Sequence, residues 1–373
     1  MASLSASASL IIQTEAKKMW DEKTAAGTQY DNAVTTINKL ATSQTLRFMP
    51  IMDDAGKCIS FKVWWPDLTD TMAAAVYSGS VPDASADCTL ETGTGIGTQS
   101  LTYSPNAYLY DTVYVADNLC ANDVSFGFLA SEQLNAAMLK LRIKLNQRSI
   151  LFLDTNKTAN LDATNASYGM TTGATTTIPY NLILDPSILI KFQIQADSNR
   201  LPNDFLLMDS TNLLFSEKIA PYLGLNGEGK AHNALYGDIA MRYNSDIRDM
   251  ATTTGDNSLF LVNKNMFGFF NRTAYTTAPV LINSDRDTRV FKIQDPVLKY
   301  RRVDMQGDRV VGSSIVPVEY DVIYQKVCTG NDATGRPYST HTFKVMFEGG
   351  MVLGPTANSG ATGILKYSVE SGV

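Results

Sequence analysis

The sequence contains few of the residues that usually build a catalytic or metal centre. It has only two histidines, His232 and His341, and four cysteines, none of which forms a C-x-x-C pair. Zinc sites draw on clustered Cys and His ligands, and disulfide-stapled secreted domains are much richer in cysteine. The cysteines are therefore expected to be buried or free thiols in a reducing cytoplasm. We predict no metal site and no disulfide framework.

Long apolar runs and an excess of positive charge are also missing. No stretch approaches the roughly 18 apolar residues that a membrane-spanning helix needs. The first residues, MASLSASASLII, lack the basic segment of a signal peptide. The formal net charge of -6 argues against a protein devoted to gripping nucleic acid, which would be strongly basic. Because 44% of the residues are hydrophobic, we predict a soluble protein with a substantial core and no membrane contact.

Enzyme motifs are absent or incomplete. The sequence has no H-E-x-x-H and no G-x-S-x-G. Residues 224–231, GLNGEGKA, begin like G-x-x-x-x-G-K, but Ala231 stands where a phosphate-binding loop needs a Mg²⁺-binding Ser or Thr. A glycan hydrolase that uses scattered Asp and Glu residues stays open as an alternative. The prediction is that the chain is not an enzyme and has no catalytic residues and no cofactor.

Residues 1–50 are predicted to form a thin helical arm. Apolar residues recur there at helical spacing in two segments, around Met19 and Trp20 and then from Tyr30 through Ile37 to Leu40. The segments have too few apolar residues for a domain of their own. We therefore expect this arm to pack on something else.

Two strand patterns follow, at residues 58–65 and 108–115, separated by a polar, Gly- and Ser-rich stretch. A long polar excursion between two strands is typical of a loop that reaches away from the body, so the pair is predicted to form a protruding β-loop. Large aromatic residues in this part of the chain are candidates for contacts between subunits, because Tyr and Trp are favoured at interfaces. The candidates are Trp20, Trp64, Trp65, Tyr108 and Tyr110. The alternative for the adjacent Trp64 and Trp65 is that both are buried within their own chain, on the two sides of the strand.

Residues 131–153 give the strongest helix prediction. Ser131 is the predicted N-cap, with Glu132 in the first turn. Apolar residues occupy two nearly opposite faces, which predicts a helix between two packing partners. One face carries Leu134, Met138, Leu141, Leu145 and Phe152, and the other Leu139, Ile143 and Ile150. Lys140, Lys144 and Arg148 form a stripe between these faces, which either faces solvent or faces phosphates.

Further elements are predicted along the rest of the chain. A second helix should start at Asp185-Pro186 and bury Ile188, Leu189, Phe192 and Ala196. Short apolar strands are predicted at 205–208, 258–262 and 280–282. Alternating patterns predict longer strands in which Val318, Tyr320, Val322 and Tyr324, and then Phe343, Val345 and Phe347, face the core.

The order of these elements resembles the major capsid proteins of tailed phages, which share the Hong Kong 97-like fold. The quoted segments are SEQLNAAMLKLRIKLNQRSILFLDTN as the spine helix, LDPSILIKFQIQAD as a second peripheral helix, LPNDFLLMDSTNLLFSEKI as the start of an axial domain, and KIQDPVLKYRRVDMQGD as the return. The resemblance implies an α+β fold with an N-terminal arm at 1–50, an extended E-loop at 51–120 and a peripheral domain at 121–200. It places an axial domain at 201–290, and return strands with a C-terminal extension at 291–373.

The resemblance also implies a function. It implies that hexamers and pentamers of this chain assemble into the icosahedral shell of a virion, formed in the host bacterial cytoplasm around double-stranded DNA. Lys140, Lys144 and Arg148 are then candidates for the inner surface, in weak and non-specific contact with the genome. Portal, scaffold and decoration proteins would be further partners. A tail tube, sheath or fibre subunit shares the lack of catalytic motifs and stays open as an alternative, which would form tubes or fibres in place of closed shells.

Overall fold

The computed structural model of the chain describes residues 14–15, 18–19, 22, 32–43, 47–52, 58–66, 98–103, 107–116, 123–158, 160, 169–171, 173, 175–179, 188–199, 205–210, 239–244, 246–247, 257–264, 266–284, 287–306, 309–331, 337–353 and 363–369. These residues combine helices with extensive sheet, so the predicted α+β class is confirmed. The predicted helix start at Asp185 and Pro186 and the glycine-rich residues 224–231 lie outside these ranges.

Three helices organise the described part of the chain. They are α1 (Asn32–Ser43), α2 (Asp123–Thr155) and α3 (Ile188–Ser198). Helix α2 extends over 33 residues and begins at Asp123, so the prediction that Ser131 caps it is wrong. The Ser131 hydroxyl instead donates to the Phe128 carbonyl at 2.7 Å, inside the helix. At the other end, Asn156 Nδ2 and Lys157 Nζ each donate to a last-turn carbonyl at 2.8 Å, which satisfies acceptors left over by the helix.

A three-stranded antiparallel sheet is formed early in the chain, in the order β1-β2-β3. Its strands are β1 (Arg47–Met52), β2 (Cys58–Pro66) and β3 (Thr98–Tyr103). The predicted pairing of the strand at 58–65 with the strand at 108–115 is therefore wrong, because β2 pairs with β1 and β3. The polar excursion after residue 66 returns to β3, and the following strand belongs to another sheet.

A six-stranded sheet contains the longest strands. Its order is β10-β11-β12-β13-β4, and β9 also pairs with β13. The bounds are β4 (Ala107–Ala116), β9 (Phe267–Arg272), β10 (Val280–Asn283), β11 (Thr288–Gln306), β12 (Arg309–Asn331) and β13 (Pro337–Leu353). Strands β12 and β9 follow one another along one side of β13, and β4 lies on the other side, so Gly349 is paired with both β9 and β4. A Cβ there would collide with the Phe270 carbonyl and the Phe347 ring, so only glycine fits this close approach.

A five-stranded sheet combines distant parts of the sequence, in the order β5-β14-β8-β6-β7. Its strands are β5 (Thr176–Ile178), β6 (Phe205–Asp209), β7 (Ile239–Tyr243), β8 (Asn257–Asn263) and β14 (Ile364–Val369). The last strand of the chain, β14, lies between β5 and β8 rather than forming an appended extension. The predicted domain boundaries stay a prediction, but residues 364–369 are built into the sheet that contains the strands of residues 205–263.

Alternation of side chains explains how one strand serves two layers. In β6, Leu206 and Met208 join the cluster that lies against α2 and the six-stranded sheet. Phe205 and Leu207 point to the opposite side and pack with α3, where Phe192 is also fully buried. A strand buried on both faces is expected to be continuously apolar, which agrees with the sequence of β6.

Most of the predicted core positions are confirmed. Helix α3 buries Ile188, Leu189, Phe192 and Ala196. The alternating residues of β12 and β13, from Val318 to Tyr324 and from Phe343 to Phe347, are buried in the cluster against α2. Strand β4 divides as predicted, with Val113 and Val115 buried and the tyrosines exposed on the other face.

Helix α1 changes the interpretation of the N-terminal arm. Ile37, Leu40 and Ala41 are buried in the same cluster as α2 and the six-stranded sheet. Asn38 ties the helix to β11, because its Nδ2 donates to Val297 O at 3.0 Å and its Oδ1 accepts from Lys299 N at 2.6 Å. The prediction that all of residues 1–50 must pack on another molecule is therefore wrong for α1, which packs on its own chain.

Candidate assembly surfaces

A buried ion pair fixes α2 to the six-stranded sheet. Arg142 Nη1 donates to both carboxylate oxygens of Asp295, at 3.0 and 2.9 Å, and neither side chain is exposed. Asp295 also accepts from the Tyr320 hydroxyl at 2.7 Å and from two backbone N–H groups, those of Val297 and Leu298. Asp295 lies in a register shift between β11 and β12, where the regular ladder is interrupted. The ion pair therefore holds both the helix and this irregular turn of β11.

The C-terminal end of α2 is fixed to the five-stranded sheet. Lys366 Nζ lies 2.8 Å from Asp154 Oδ1, and both side chains are nearly fully buried. The backbone N–H of Thr158 donates to Ile364 O at 3.0 Å, which adds a main-chain link to the same strand. Between the two ion pairs, Asn146 Nδ2 donates to Asp246 Oδ2 at 2.6 Å, close to the end of β7. One helix is thus joined to two sheets by polar groups that are mostly withdrawn from water.

Sequence reasoning missed these two ion pairs, although the sequence contained a signal for the first. Arg142 is four residues after Met138 and three before Leu145, so it shares their face of the helix. A cation on an apolar helix face needs a buried partner, because an isolated buried charge is very costly. Nothing in the sequence indicates that the partner is Asp295, since the two residues are 153 positions apart.

The stripe of Lys140, Lys144 and Arg148 is exposed. Lys140 Nζ lies 3.1 Å from Asp111 Oδ2 on β4, with 64% of the Lys140 side chain still exposed. Lys144 Nζ lies 3.2 Å from Gln147 Oε1. The exposed residues of α2 from position 133 onward include three cations and no acid: Gln133, Ala136, Lys140, Ile143, Lys144, Arg148 and Thr155.

The second apolar face predicted for this helix is only partly covered. Ile150 is buried, Leu139 is half-buried and Ile143 is 38% exposed. Ile143 therefore lies within the positively charged stripe, and the prediction that this face packs along its length is wrong at that position. The physical reason is that the described elements in contact with α2, among them α1, β4 and β13, leave the Ile143 side chain partly uncovered.

A row of tyrosines lies on the outer face of β4. Tyr108, Tyr110 and Tyr114 are exposed to 64%, 68% and 64%. The Lys344 ammonium lies 4.7 Å from the centre of the Tyr110 ring, which is a cation–π distance. Of the aromatic contact candidates, Tyr108 and Tyr110 are thus brought together on one surface. Trp20 and the side chains of Trp64 and Trp65 lie outside the described part of the structure.

A cluster of charged residues covers the outer face of the same sheet farther along. Lys292 Nζ lies 2.8 Å from Glu319 Oε2, and Arg272 Nη2 lies 3.3 Å from Glu348 Oε1. The carboxylate of Asp321 accepts from the backbone N–H groups of the segment between β9 and β10, at 2.8 Å from Ala274 and 3.3 Å from Tyr275. Asp321 lies on the face of β12 opposite Tyr320 and Val322, and this overlying segment buries it.

Burial decides the ionisation of two acids in this cluster. It raises the pKa of Asp321 above its usual 3.8, and the nearby charge of Glu319 raises it further, against the lowering effect of the two N–H donors and Lys292. Burial also raises the pKa of Glu348 above 4.5, while Arg272 opposes the shift. The negative charge of both groups is thus less favourable here than in water.

Within the described residues, no group of three or more His, Cys, Asp or Glu side chains is placed to hold a metal ion. None of the helices described is both long and apolar enough to cross a bilayer. The polar groups that the fold brings together link secondary-structure elements to one another.

Comparison with known proteins gives structural likenesses only. No protein-family model matches the sequence, and neither does any curated protein. The fold is similar to the asymmetric unit of the bacteriophage PhiM1 mature capsid, with a TM-score of 0.36, 7% identity, and coverage of 84% of this chain and 83% of that chain. It is similar to the cyanophage Pam1 capsid asymmetric unit, with a TM-score of 0.37, 9% identity, and coverage of 83% and 84%.

A third likeness is to the holo-SrpI encapsulin complex from Synechococcus elongatus. The TM-score is 0.32 at 7% identity, over 87% of this chain and 85% of that chain. The three matches cover most of each chain. Their TM-scores and identities are low, so the structures do not superpose closely.

Proposed function

We propose that this chain is the major capsid protein of a tailed bacteriophage, and that copies of it assemble into the closed shell around the genome. The observation that carries the proposal is the distribution of uncovered apolar side chains. Exposed rows lie on three different strands: Tyr108, Tyr110 and Tyr114 on β4, Val280, Leu281 and Ile282 on β10, and Val311 and Ile315 on β12. Scattered exposed apolar residues are ordinary, but contiguous rows mark contact surfaces.

The interior of the subunit supports the same proposal. A shell subunit must keep its conformation while it contacts many neighbouring subunits. A rigid helix that joins its two sheets helps it to do so. Helix α2 joins two sheets through the buried pairs Arg142–Asp295 and Asp154–Lys366. In this proposal α2 is the spine helix, the six-stranded sheet is the core of the peripheral domain, and the five-stranded sheet is the core of the axial domain.

The two N-terminal segments receive separate roles in the proposal. The arm that reaches a neighbouring subunit consists of the residues before Met19, whereas Met19, which is buried beside Ser131 of α2, and helix α1 belong to the body. The sheet of β1, β2 and β3 is the base of the E-loop. The tyrosine row on β4 is covered by another copy in the shell, in hexamers and pentamers.

The exposed side of α2 also has a defined orientation in the shell. Its exposed cations face the inside of the shell, where Lys140, Lys144 and Arg148 contact double-stranded DNA through phosphates and without sequence preference. The chain as a whole is acidic, with a net charge of -6, which keeps most of the wall from binding tightly to the genome.

Electron microscopy of the purified protein, combined with sedimentation, tests the proposal. Thin-walled closed particles are expected. Tubes or fibres would favour a tail tube, sheath or fibre subunit, and a monomer at every concentration would contradict assembly altogether. A deletion of residues 1–18 refines the test because it leaves the buried Met19 and α1 in place: the subunit should remain folded by circular dichroism and fail to form particles. Normal particles from this deletion would contradict the role of the arm.

A further inference from the structure

Among the described residues, strand β10 forms an uncovered edge of a sheet. It is the outermost strand of the six-stranded sheet, and its described pairing is with β11 alone. Val280, Leu281 and Ile282 are exposed to 49%, 50% and 58%. No charged residue occurs from position 274 to position 284. Soluble proteins usually protect such an edge with charged residues or cover it, because its free N–H and C=O groups invite another strand.

Strand β12 has a second open edge of similar character. Among the described strands, β11 pairs with it from Arg309 onward, but β13 joins its other side only from Asp321. Residues 311–315 are all exposed in the described structure, and they contain no charge. Since side chains alternate along a strand, Val311, Ser313 and Ile315 share one face.

These two edges are unable to meet within one chain. Strand β11 lies between β10 and β12 in the sheet order and pairs with each of them on a different side. The two edges therefore point away from each other across β11. A contact between them requires two copies of the chain, with β10 supplied by one and β12 by the other.

We propose that β10 of one subunit pairs with residues 311–315 of a second subunit, so that their sheets become continuous. This inference rests on the proposed function, because it assigns a contact through which copies of the shell protein would join. Backbone hydrogen bonds would provide the main attraction, as in other strand additions. Val280 and Ile282 share one face of β10, where they would lie beside Val311 and Ile315.

The contact is heterologous, because each copy contributes a different edge at each end. A head-to-tail chain keeps an open β10 edge at one end and an open β12 edge at the other after every addition, so such contacts form rings or chains rather than isolated dimers. A symmetric contact of β10 with β10 would stop at a dimer. The size of cross-linked products therefore distinguishes the two arrangements.

The first test is Ile282→Lys. This side chain is 58% exposed in the subunit, so the substitution should leave the fold and thermal stability unchanged. Burying the ammonium in the contact is unfavourable, and we expect at least about a tenfold lower yield of particles. Thr277→Lys is the matched control, because Thr277 is also exposed and lies outside the strand. Wild-type yield from Ile282→Lys would contradict the proposal.

The second test is disulfide cross-linking. Ile282→Cys is combined in turn with Val311→Cys, Ser313→Cys and Ile315→Cys, which share one face and so cover the alternative registers. Oxidation should give a ladder of dimers, trimers and larger species for at least one combination, and reduction should remove it. Ile282→Cys alone reports any background from the four native cysteines. A product that stops at the dimer, or no product, would overturn the assignment of β12 as the partner.

The two proposals fail in different ways. Particles that form without any ladder in the double-cysteine variants would support the capsid function and contradict this strand pairing. A ladder in protein that forms no particles would support the pairing and contradict the capsid function.

Discussion

Arg142 and Asp295 form an ion pair from which solvent is fully excluded, with both carboxylate oxygens within 3.0 Å of one guanidinium nitrogen. The pair joins the longest helix to the strand that also binds α1 through Asn38. The same carboxylate organises the register shift in β11 by accepting from Val297 and Leu298. Through its hydrogen bonds to Arg142, to the backbone of β11 and to Tyr320, this one buried acid contacts α2, β11 and β12.

Removing one partner of this pair should be strongly destabilising. Arg142→Met leaves the Asp295 carboxylate buried beside an apolar side chain, and we expect a loss of about 3–5 kcal/mol in the free energy of unfolding. Chemical denaturation of the unassembled subunit measures it. Lys140→Met is the control on the same helix: it removes a solvent-screened pair with Asp111 and should cost about 0–1 kcal/mol. Equal effects of the two substitutions would contradict the role assigned to Arg142.

Acidification should stabilise the subunit through Asp321 and Glu348. Because their pKa values are raised in the folded state, each binds a proton more readily there than in the unfolded chain. Their contribution to stability is fully present below the unfolded values and is lost as the pH rises through the folded values. Wild type should therefore gain stability relative to Asp321→Asn as the pH falls from neutral towards about 4.

Paired denaturation curves of wild type and Asp321→Asn over this pH range provide the measurement. Glu348→Gln should behave in the same direction, since burial is also the main cause of its shift. A stability difference that does not change with pH, or that favours wild type more at higher pH, would show that burial does not control these groups.

Shortening a buried side chain of α1 should destabilise the subunit itself. Leu40 is 1% exposed and packs in the main core, so Leu40→Ala should lower the free energy of unfolding by about 2–5 kcal/mol. Thermal or chemical unfolding of the unassembled protein tests this value. An effect below about 0.5 kcal/mol, which is usual for surface positions, would show that α1 does not belong to the body.

Neutralising the exposed cations of α2 should weaken DNA binding. Lys144→Gln combined with Arg148→Gln removes two phosphate contacts. The slope of the logarithm of the DNA-binding constant against the logarithm of the salt concentration is negative, and its magnitude should decrease by up to about 1.8. Fluorescence anisotropy with a labelled duplex, measured over a salt series, gives this slope. The control is Lys299→Gln with Arg302→Gln, two exposed cations elsewhere with the same charge change. If the control lowers the slope equally, α2 is not the preferred DNA surface.

Local patterns in the sequence were enough to predict the layers of the core. Alternation along β12 and β13 correctly separated Val318 and Phe343 from their polar neighbours, because a strand places successive side chains on opposite faces. The apolar run of β6 indicated a strand covered on both sides. The exposed tyrosines of β4 could also be recognised, since their spacing places them opposite Val113 and Val115.

Partners distant in sequence were not predictable in this way. The pairing of β4 with β13, the position of β14 between β5 and β8, and the burial of Asp321 under the segment after β9 all depend on contacts between distant residues. A strand pattern indicates which face is buried, but it does not identify the neighbouring strand. For this reason the sequence predicted a hairpin of β2 and β4, whereas these two strands belong to different sheets.

The sequence by itself determined the α+β class, the long helix, the faces of the main strands and the exposed cations, because these follow from periodicity within a few consecutive residues. Only the tertiary structure decided that α1 belongs to the body, that Arg142 meets Asp295, and that β10 and residues 311–315 of β12 are left open on opposite sides of β11. Those outcomes depend on which distant segments pack on the same buried surface and pair with the same backbone groups. The spacing of residues within one segment does not identify these partners.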